Sequence, residues 1–101
     1  MKRKPSLFTI RKKKKERHPQ LIVDANKTKF RSMSITHSKK NGYHGNLRLK
    51  MNPNKSDPTP SYLKKRIIED FKFYYSKAFK NYQLSNEDIE GIIKFLESKK
   101  K

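Results

Sequence analysis

The stretch Arg17-His18-Pro19-Gln20-Leu21-Ile22-Val23-Asp24-Ala25-Asn26-Lys27-Thr28-Lys29-Phe30-Arg31-Ser32-Met33-Ser34-Ile35-Thr36-His37-Ser38 reads as two short strands joined by a turn. Gln20 to Val23 turns apolar just after Pro19, the pattern of a short buried strand. Asp24 and Asn26 supply turn chemistry, because their short polar side chains bond back to nearby backbone. Lys29–His37 then alternates imperfectly. Met33 and Ile35 fall on one face and Ser32, Ser34 and Thr36 on the other, as a pleat of period two requires. Paired as antiparallel neighbours, the two strands carry Arg17-His18-Pro19 and Thr36-His37-Ser38 to the same end of a sheet.

Downstream, Ser38–Gly45 is a polar loop with two glycines. Asn46–Met51 sets Leu47, Leu49 and Met51 against Arg48 and Lys50, which predicts a third, half-buried strand. Asn52–Pro60 holds three of the five prolines and is expected as a loop. Ser61–Phe71 stays open between helix and strand, since Leu63, Ile67, Ile68 and Phe71 also fit a helical stripe. The aromatic-rich Phe71–Phe79 fits neither pattern. A helix is predicted over 85–98, with Ser85 as N-cap and Asp88 three residues on as a weak capping box. Leu84 and Ile89 can form a hydrophobic staple, and Ile89, Ile92, Ile93 and Leu96 make its apolar stripe. Glu87 and Asp88 at its start and Lys99–Lys101 at its end suit the helix dipole. The fold class expected is mainly β with helical cover (α+β), a small, strongly bent sheet or barrel. Residues 17–101 form its single domain, and residues 1–16 a basic, flexible arm in which Leu7–Ile10 alone resembles an edge strand.

Charge dominates the composition. Across 101 residues, 27 Lys and Arg face nine Asp and Glu, a net +18, and 32% of residues are apolar, enough for one modest core. Such a field attracts polyanions; the bland alternative is a surface charged for solubility. RNA, DNA and anionic membrane are the candidate partners. No stretch approaches the ~18 apolar residues of a membrane-spanning helix, and Met1–Lys4 leads into no apolar segment of signal-peptide length. The absence of cysteine excludes disulfides, zinc ribbons and thiol catalysis. His18, His37 and His44 show no recognisable metal-ligand spacing. A cytoplasmic nucleic-acid-binding protein with no cofactor is therefore expected, without a membrane partner. Arg11, Lys12, Lys13, Lys14 and Lys15 would grip phosphates, with Lys39, Lys40 and Arg48 beside the central strands. Tyr43, in the polar loop, is the best-placed ring for stacking on a base.

The two clusters at one sheet end contain the groups that metal-free RNA cleavage needs. A base must take the proton of the ribose 2′-hydroxyl, an acid must protonate the leaving 5′-oxygen, and a cation must stabilise the phosphorane. His18 and His37 suit the proton transfers because an unperturbed imidazole titrates near ~6.5. Arg17 suits the phosphate because its fork of donors matches two oxygens. Thr36 and Ser38 would bond the phosphate. Each also has a bland reading: a strand start at His18, a loop residue at His37, turn caps at Thr36 and Ser38.

Four blocks resemble the MazF/PemK-type endoribonuclease toxins. Arg17-His18-Pro19-Gln20-Leu21-Ile22-Val23 is similar to their Arg-Pro strand. Ser34-Ile35-Thr36-His37-Ser38, followed by a glycine-containing loop and Asn46-Leu47-Arg48-Leu49, is similar to their Thr-x-Ser block. Ser61-Tyr62-Leu63 with Arg66-Ile67-Ile68-Glu69-Asp70 resembles a later strand, and Leu84-Ser85-Asn86-Glu87-Asp88-Ile89 their final helix. The blocks occur in the family's order from about residue 17 to 98. The resemblance implies an SH3-like small β-barrel with a C-terminal helix, which would make Ser61–Ile68 a strand. It implies a metal-independent ribonuclease acting on single-stranded mRNA, as a homodimer, neutralised by an acidic antitoxin protein. It places the family's catalytic Arg at Arg17 and its Thr at Thr36, with Ser38 nearby. Here His18 stands between Arg17 and Pro19; either Arg17 reaches the site from a loop or His18 has taken its place. The alternative on the same fold is a non-catalytic binding or inhibitor module of a phage or conjugative element; another is a ribosome- or nucleoid-associated structural protein.

Overall fold

The computed structural model describes residues 7–37, 40–41 and 44–99. Its strands are β1 (Ile10–Arg11), β2 (Gln20–Ala25), β3 (Lys29–Thr36), β4 (Lys40–Asn41), β5 (His44–Gly45), β6 (Leu47–Arg48) and β7 (Tyr62–Phe71), followed by a single 3-10 turn (Lys72–Tyr74) and helix α1 (Asn86–Lys99). Five strands make an antiparallel sheet in the order β1-β2-β3-β7-β6, and β4 pairs with β5 as a separate hairpin.

The β2–β3 hairpin forms where the turn residues stand. Asn26 Oδ1 accepts the N–H groups of Thr28 and Lys29 at 3.0 and 2.8 Å, and Asn26 N–H donates to Lys29 O at 3.0 Å. Pairing runs from Ala25↔Phe30 to Gln20↔Ser34, with an irregularity at Val23. On its other side β3 pairs with β7 from Lys29↔Phe71 to Thr36↔Tyr62. The ambiguous segment is thus a strand, the longest in the molecule.

The main core lies between the sheet and α1. Leu21, Val23, Met33, Ile35 and Leu63 pack with Ile92, while Ile89, Phe95 and Leu96 close its edge. Leu21, Met33 and Leu63 are completely buried, each contributing about 1.5–3 kcal/mol by leaving water. A smaller cluster of Ile22, Ala25, Phe30 and Tyr75 covers part of the opposite face. The helix starts as its sequence requires. Ser85 Oγ accepts Asp88 N–H at 3.2 Å, and Leu84 and Ile89 both join the core.

Three expectations change. The SH3-like barrel is not closed: β1 and β6 end an open sheet and do not pair with each other. The third strand shrinks from Asn46–Met51 to Leu47–Arg48, and Met51 is 61% exposed rather than inward. The reason is Asp88, whose carboxylate accepts Lys50 N–H at 2.8 Å and Met51 N–H at 3.2 Å and so draws the chain off the ladder. The polar loop after β3 also carries the small β4–β5 hairpin.

The cationic run after β1 is bonded into the fold. Lys14 N–H donates to Tyr74 O at 2.9 Å, Ser76 N–H to Lys12 O at 2.7 Å, and Phe79 N–H to Ile10 O at 2.8 Å. Residues 74–79 therefore line the outer edge of β1, which leaves it no unpaired face for another strand.

Candidate functional site

Backbone bonding brings the two sequence clusters together. Ile35 N–H donates to Pro19 O at 2.9 Å, and Gln20 lies opposite Ser34. Arg17 and His18 therefore sit where β3 runs out to Thr36 and His37. Across the sheet the same row continues from Thr36 to Tyr62 and from Tyr62 to Arg48. Arg48 is exposed at that end, as the sequence suggests.

His18 is half-buried, and its imidazole is held below the ordinary histidine value of 6.5. Burial is the main cause, followed by the charges of Lys64, Arg17 and His37, with Glu16 acting in the opposite sense. A small cavity of about 140 Å³ lies on the helix-free face beside it, lined by Glu16, Ser34, Lys64, Arg66 and Ile68. Lys64 and Arg66 alternate along β7 and add two cations that the sequence reading did not single out, because that segment was still open between helix and strand.

The floor of this region is a continuous chain of hydrogen bonds. Gln20, fully buried, donates from Nε2 to Ser34 Oγ at 2.7 Å and to His18 O at 3.1 Å. Ser32 Oγ donates to Gln20 Oε1 at 2.9 Å. With its one proton so used, Ser32 accepts from Tyr75 OH at 2.9 Å. Burial raises the Tyr75 phenol, which keeps it in the donating form. The chain ends on the carbonyl of His18 and so fixes the backbone from which the imidazole projects.

The other candidate residues divide. His37 is exposed; its Nδ1 lies 3.1 Å from Pro60 O and its Nε2 3.8 Å from Asp57 Oδ2. The Asp57 carboxyl is held below its ordinary value chiefly by hydrogen bonds from Thr59, with His37 adding to the effect. Thr36 is only 5% exposed. Its place is therefore in the sheet interior rather than on an open phosphate site. Ser38, Lys39 and Tyr43 lie outside the described residues, as does the side chain of Lys40.

In the basic run, Lys12, Lys14 and Lys15 are exposed. Lys13 is 6% exposed and pairs with Asp70 Oδ2 at 3.1 Å, so its ammonium serves the fold. Arg11 donates to Thr9 Oγ1 at 3.1 Å and Ser76 O at 3.1 Å, and its guanidinium lies 5.0 Å from the Phe30 ring centre. Lys15 takes a left-handed backbone, φ 70°, in the turn closed by Glu16 N–H donating to Lys13 O at 3.1 Å.

Among the described residues no group of three or more His, Cys, Asp or Glu is placed to hold a metal ion, and no helix is long and apolar enough to cross a membrane. What the site offers is an imidazole biased to its neutral form near the charges of Arg17 and Lys64, its backbone held by an ordered polar floor, with a small cavity that Lys64 and Arg66 line. No family model, no curated protein and no solved structure matches the chain.

Proposed function

We propose that the protein binds single-stranded RNA across the end of the sheet where β2 begins and β3 ends, and cleaves it by attack of a ribose 2′-hydroxyl. The observation that carries this reading is His18: a neutral-biased imidazole surrounded by cations. A general base must be unprotonated at working pH, which burial chiefly and then the charges of Lys64 and Arg17 favour, and a phosphodiester must be held by positive charge, which the same two cations supply. His18 takes the 2′-hydroxyl proton. The 2′-oxygen attacks phosphorus, the bond to the 5′-oxygen breaks, and that oxygen takes a proton from His37. The products are a 2′,3′-cyclic phosphate and a 5′-hydroxyl end. Arg17, Lys64 and Arg66 stabilise the added charge on the phosphorane, and Lys12, Lys14, Lys15 and Arg48 hold flanking phosphates. Thr36, being buried, acts by shaping the strand end.

The resemblance to MazF/PemK toxins adds to this reading, together with the mainly β sheet, its C-terminal helix and the bonding of residues 74–79 to β1. A toxin of that type would act on mRNA in the cytoplasm and be silenced by an acidic antitoxin on the same basic surface. The test is incubation of purified protein with single-stranded RNA in EDTA, followed by mapping of new ends. New 5′-hydroxyl ends that disappear with His18→Asn support the reading; uncut RNA in a stable complex supports the second one.

That second reading, a binding or inhibitor module without catalysis, is favoured by the burial of Thr36 and by the engagement of His37 with Pro60 and Asp57. On that second reading both residues serve the fold rather than a reacting phosphate.

A further inference from the structure

The far end of β7 carries a feature that cleavage does not use. Thr36↔Tyr62 marks the His18 end of the β3–β7 ladder and Lys29↔Phe71 the other. Ten residues of strand separate the ends by about 30 Å. At the far end Phe71 is 41% exposed and Phe73 is 74% exposed, two of the three large hydrophobic side chains most open to water among the described residues. Their rings are stacked, 12° from parallel with centres 5.3 Å apart, and Tyr74 leans on Phe73 at 4.5 Å. The backbone beneath is fixed. Lys72 N–H donates to Thr28 O at 2.9 Å and Tyr75 N–H to Lys72 O at 3.0 Å.

One cation lies over these rings: Lys29 Nζ is 5.1 Å from the Phe71 centre. Lys72 Nζ lies over the buried Phe30 at 5.3 Å, and Lys13, 5.9 Å from the Tyr74 centre, is held by Asp70. An apolar protein partner would meet a surface depleted of charge at its centre. The 74%-exposed Phe73 ring, stacked on Phe71 with the Lys29 ammonium over it, instead matches a chain that alternates flat bases with phosphates.

We propose that Phe71 and Phe73 form a stacking platform for unpaired bases of a single-stranded RNA, with Lys29 and Lys72 on the phosphates of the stacked nucleotides. The platform rests on the reading that this protein binds RNA. Phenylalanine rings offer no hydrogen-bond groups, so the platform takes any base.

Phe73→Trp supplies the test with a reporter, because the chain has no tryptophan. The probe is a 2′-O-methyl oligonucleotide of about ten residues, a usual single-strand site size. It has no free 2′-hydroxyl and so resists the proposed cleavage. Its partner is an oligomer of equal length with abasic residues. The base-bearing probe should quench the tryptophan and bind the wild-type protein about tenfold more tightly than the abasic one. Phe71→Ala/Phe73→Ala should remove that preference while leaving abasic binding unchanged, with circular dichroism confirming the fold. Equal binding of both probes by the wild type, with no quenching, would overturn the platform and leave RNA binding standing. Failure of both probes to bind would overturn the RNA reading and the platform with it. A double variant that keeps the base preference but converts a dimer to a monomer in sedimentation would assign the rings to a protein contact and overturn the platform.

Discussion

At His18 two effects act in the same direction. Partial burial strips water from a charged ring, and Lys64 and Arg17 repel a proton that would add a third positive charge. Because the folded value lies below the ordinary 6.5, the unfolded chain takes up this proton first. Its effect on stability is absent above that value and becomes destabilising as pH falls through it. For catalysis the same shift keeps the base form at neutral pH. Cleavage should therefore rise with pH through a midpoint below 6.5, and Lys64→Gln should move that midpoint upward; pH–rate profiles of the two proteins check this. Lys15 shows a second tension. A non-glycine residue at φ 70° is strained by about 1 kcal/mol, yet a lysine stands there with its side chain exposed. Lys15→Gly should stabilise the protein by about 1 kcal/mol in urea unfolding, while lowering the slope of log affinity against log salt by about 0.7, one phosphate contact on a single strand. Gln20 makes the opposite trade. Gln20→Leu would leave Ser34 and the His18 carbonyl without their donor, at a cost of about 1–3 kcal/mol in the same assay.

Among the elements, α1 and β7 differ in how plainly the sequence announces them. Ser85, Leu84 and Ile89 mark the helix start by local chemistry: the structure has the Ser85 cap and puts both apolar residues in the core, while the Asp88 carboxylate of the expected capping box turns to Lys50 and Met51 instead. Ser85→Ala should cost about 1 kcal/mol as a lost cap. Asp88→Ala keeps that cap, which its backbone N–H makes, but should cost more, because it leaves the N–H groups of both Lys50 and Met51 without their acceptor; thermal unfolding of both variants checks the order. That second duty of Asp88 was not legible, since it joins residues 37 positions apart. β7 was ambiguous for a simple reason. Leu63, Ile67 and Phe71 are spaced by four, which satisfies a strand of period two as well as a helix of period 3.6. Only pairing with β3 decides, and that is a long-range event. Lys64 and Arg66 were lost to the site reading with it. The β2–β3 hairpin, by contrast, was visible in its turn residues, and with it the meeting of Arg17-His18 with Thr36-His37. The burial of Lys13 against Asp70 was hidden, because a run of lysines looks uniform until one of them finds a carboxylate.

Over the whole molecule the net charge of +18 on 101 residues separates into roles. Lys13 and Arg11 are taken up by the fold, Lys64 and Arg66 surround the candidate site, and Lys12, Lys14 and Lys15 face solvent beside the sheet. The exposed Phe71–Phe73 pair marks the other end of the same long strand. Because phosphate contacts release counterions, RNA affinity should fall steeply and linearly in log salt, a dependence that titrations at several ionic strengths will read. The most direct test of the central claim is a paired cleavage assay in EDTA, using a ribo-oligonucleotide and its all-2′-deoxy counterpart. The ribo strand should be cut to 2′,3′-cyclic phosphate and 5′-hydroxyl ends by the wild type and not by His18→Asn, with the deoxy strand bound but intact. Cutting of both strands, or cutting that survives His18→Asn, would contradict it.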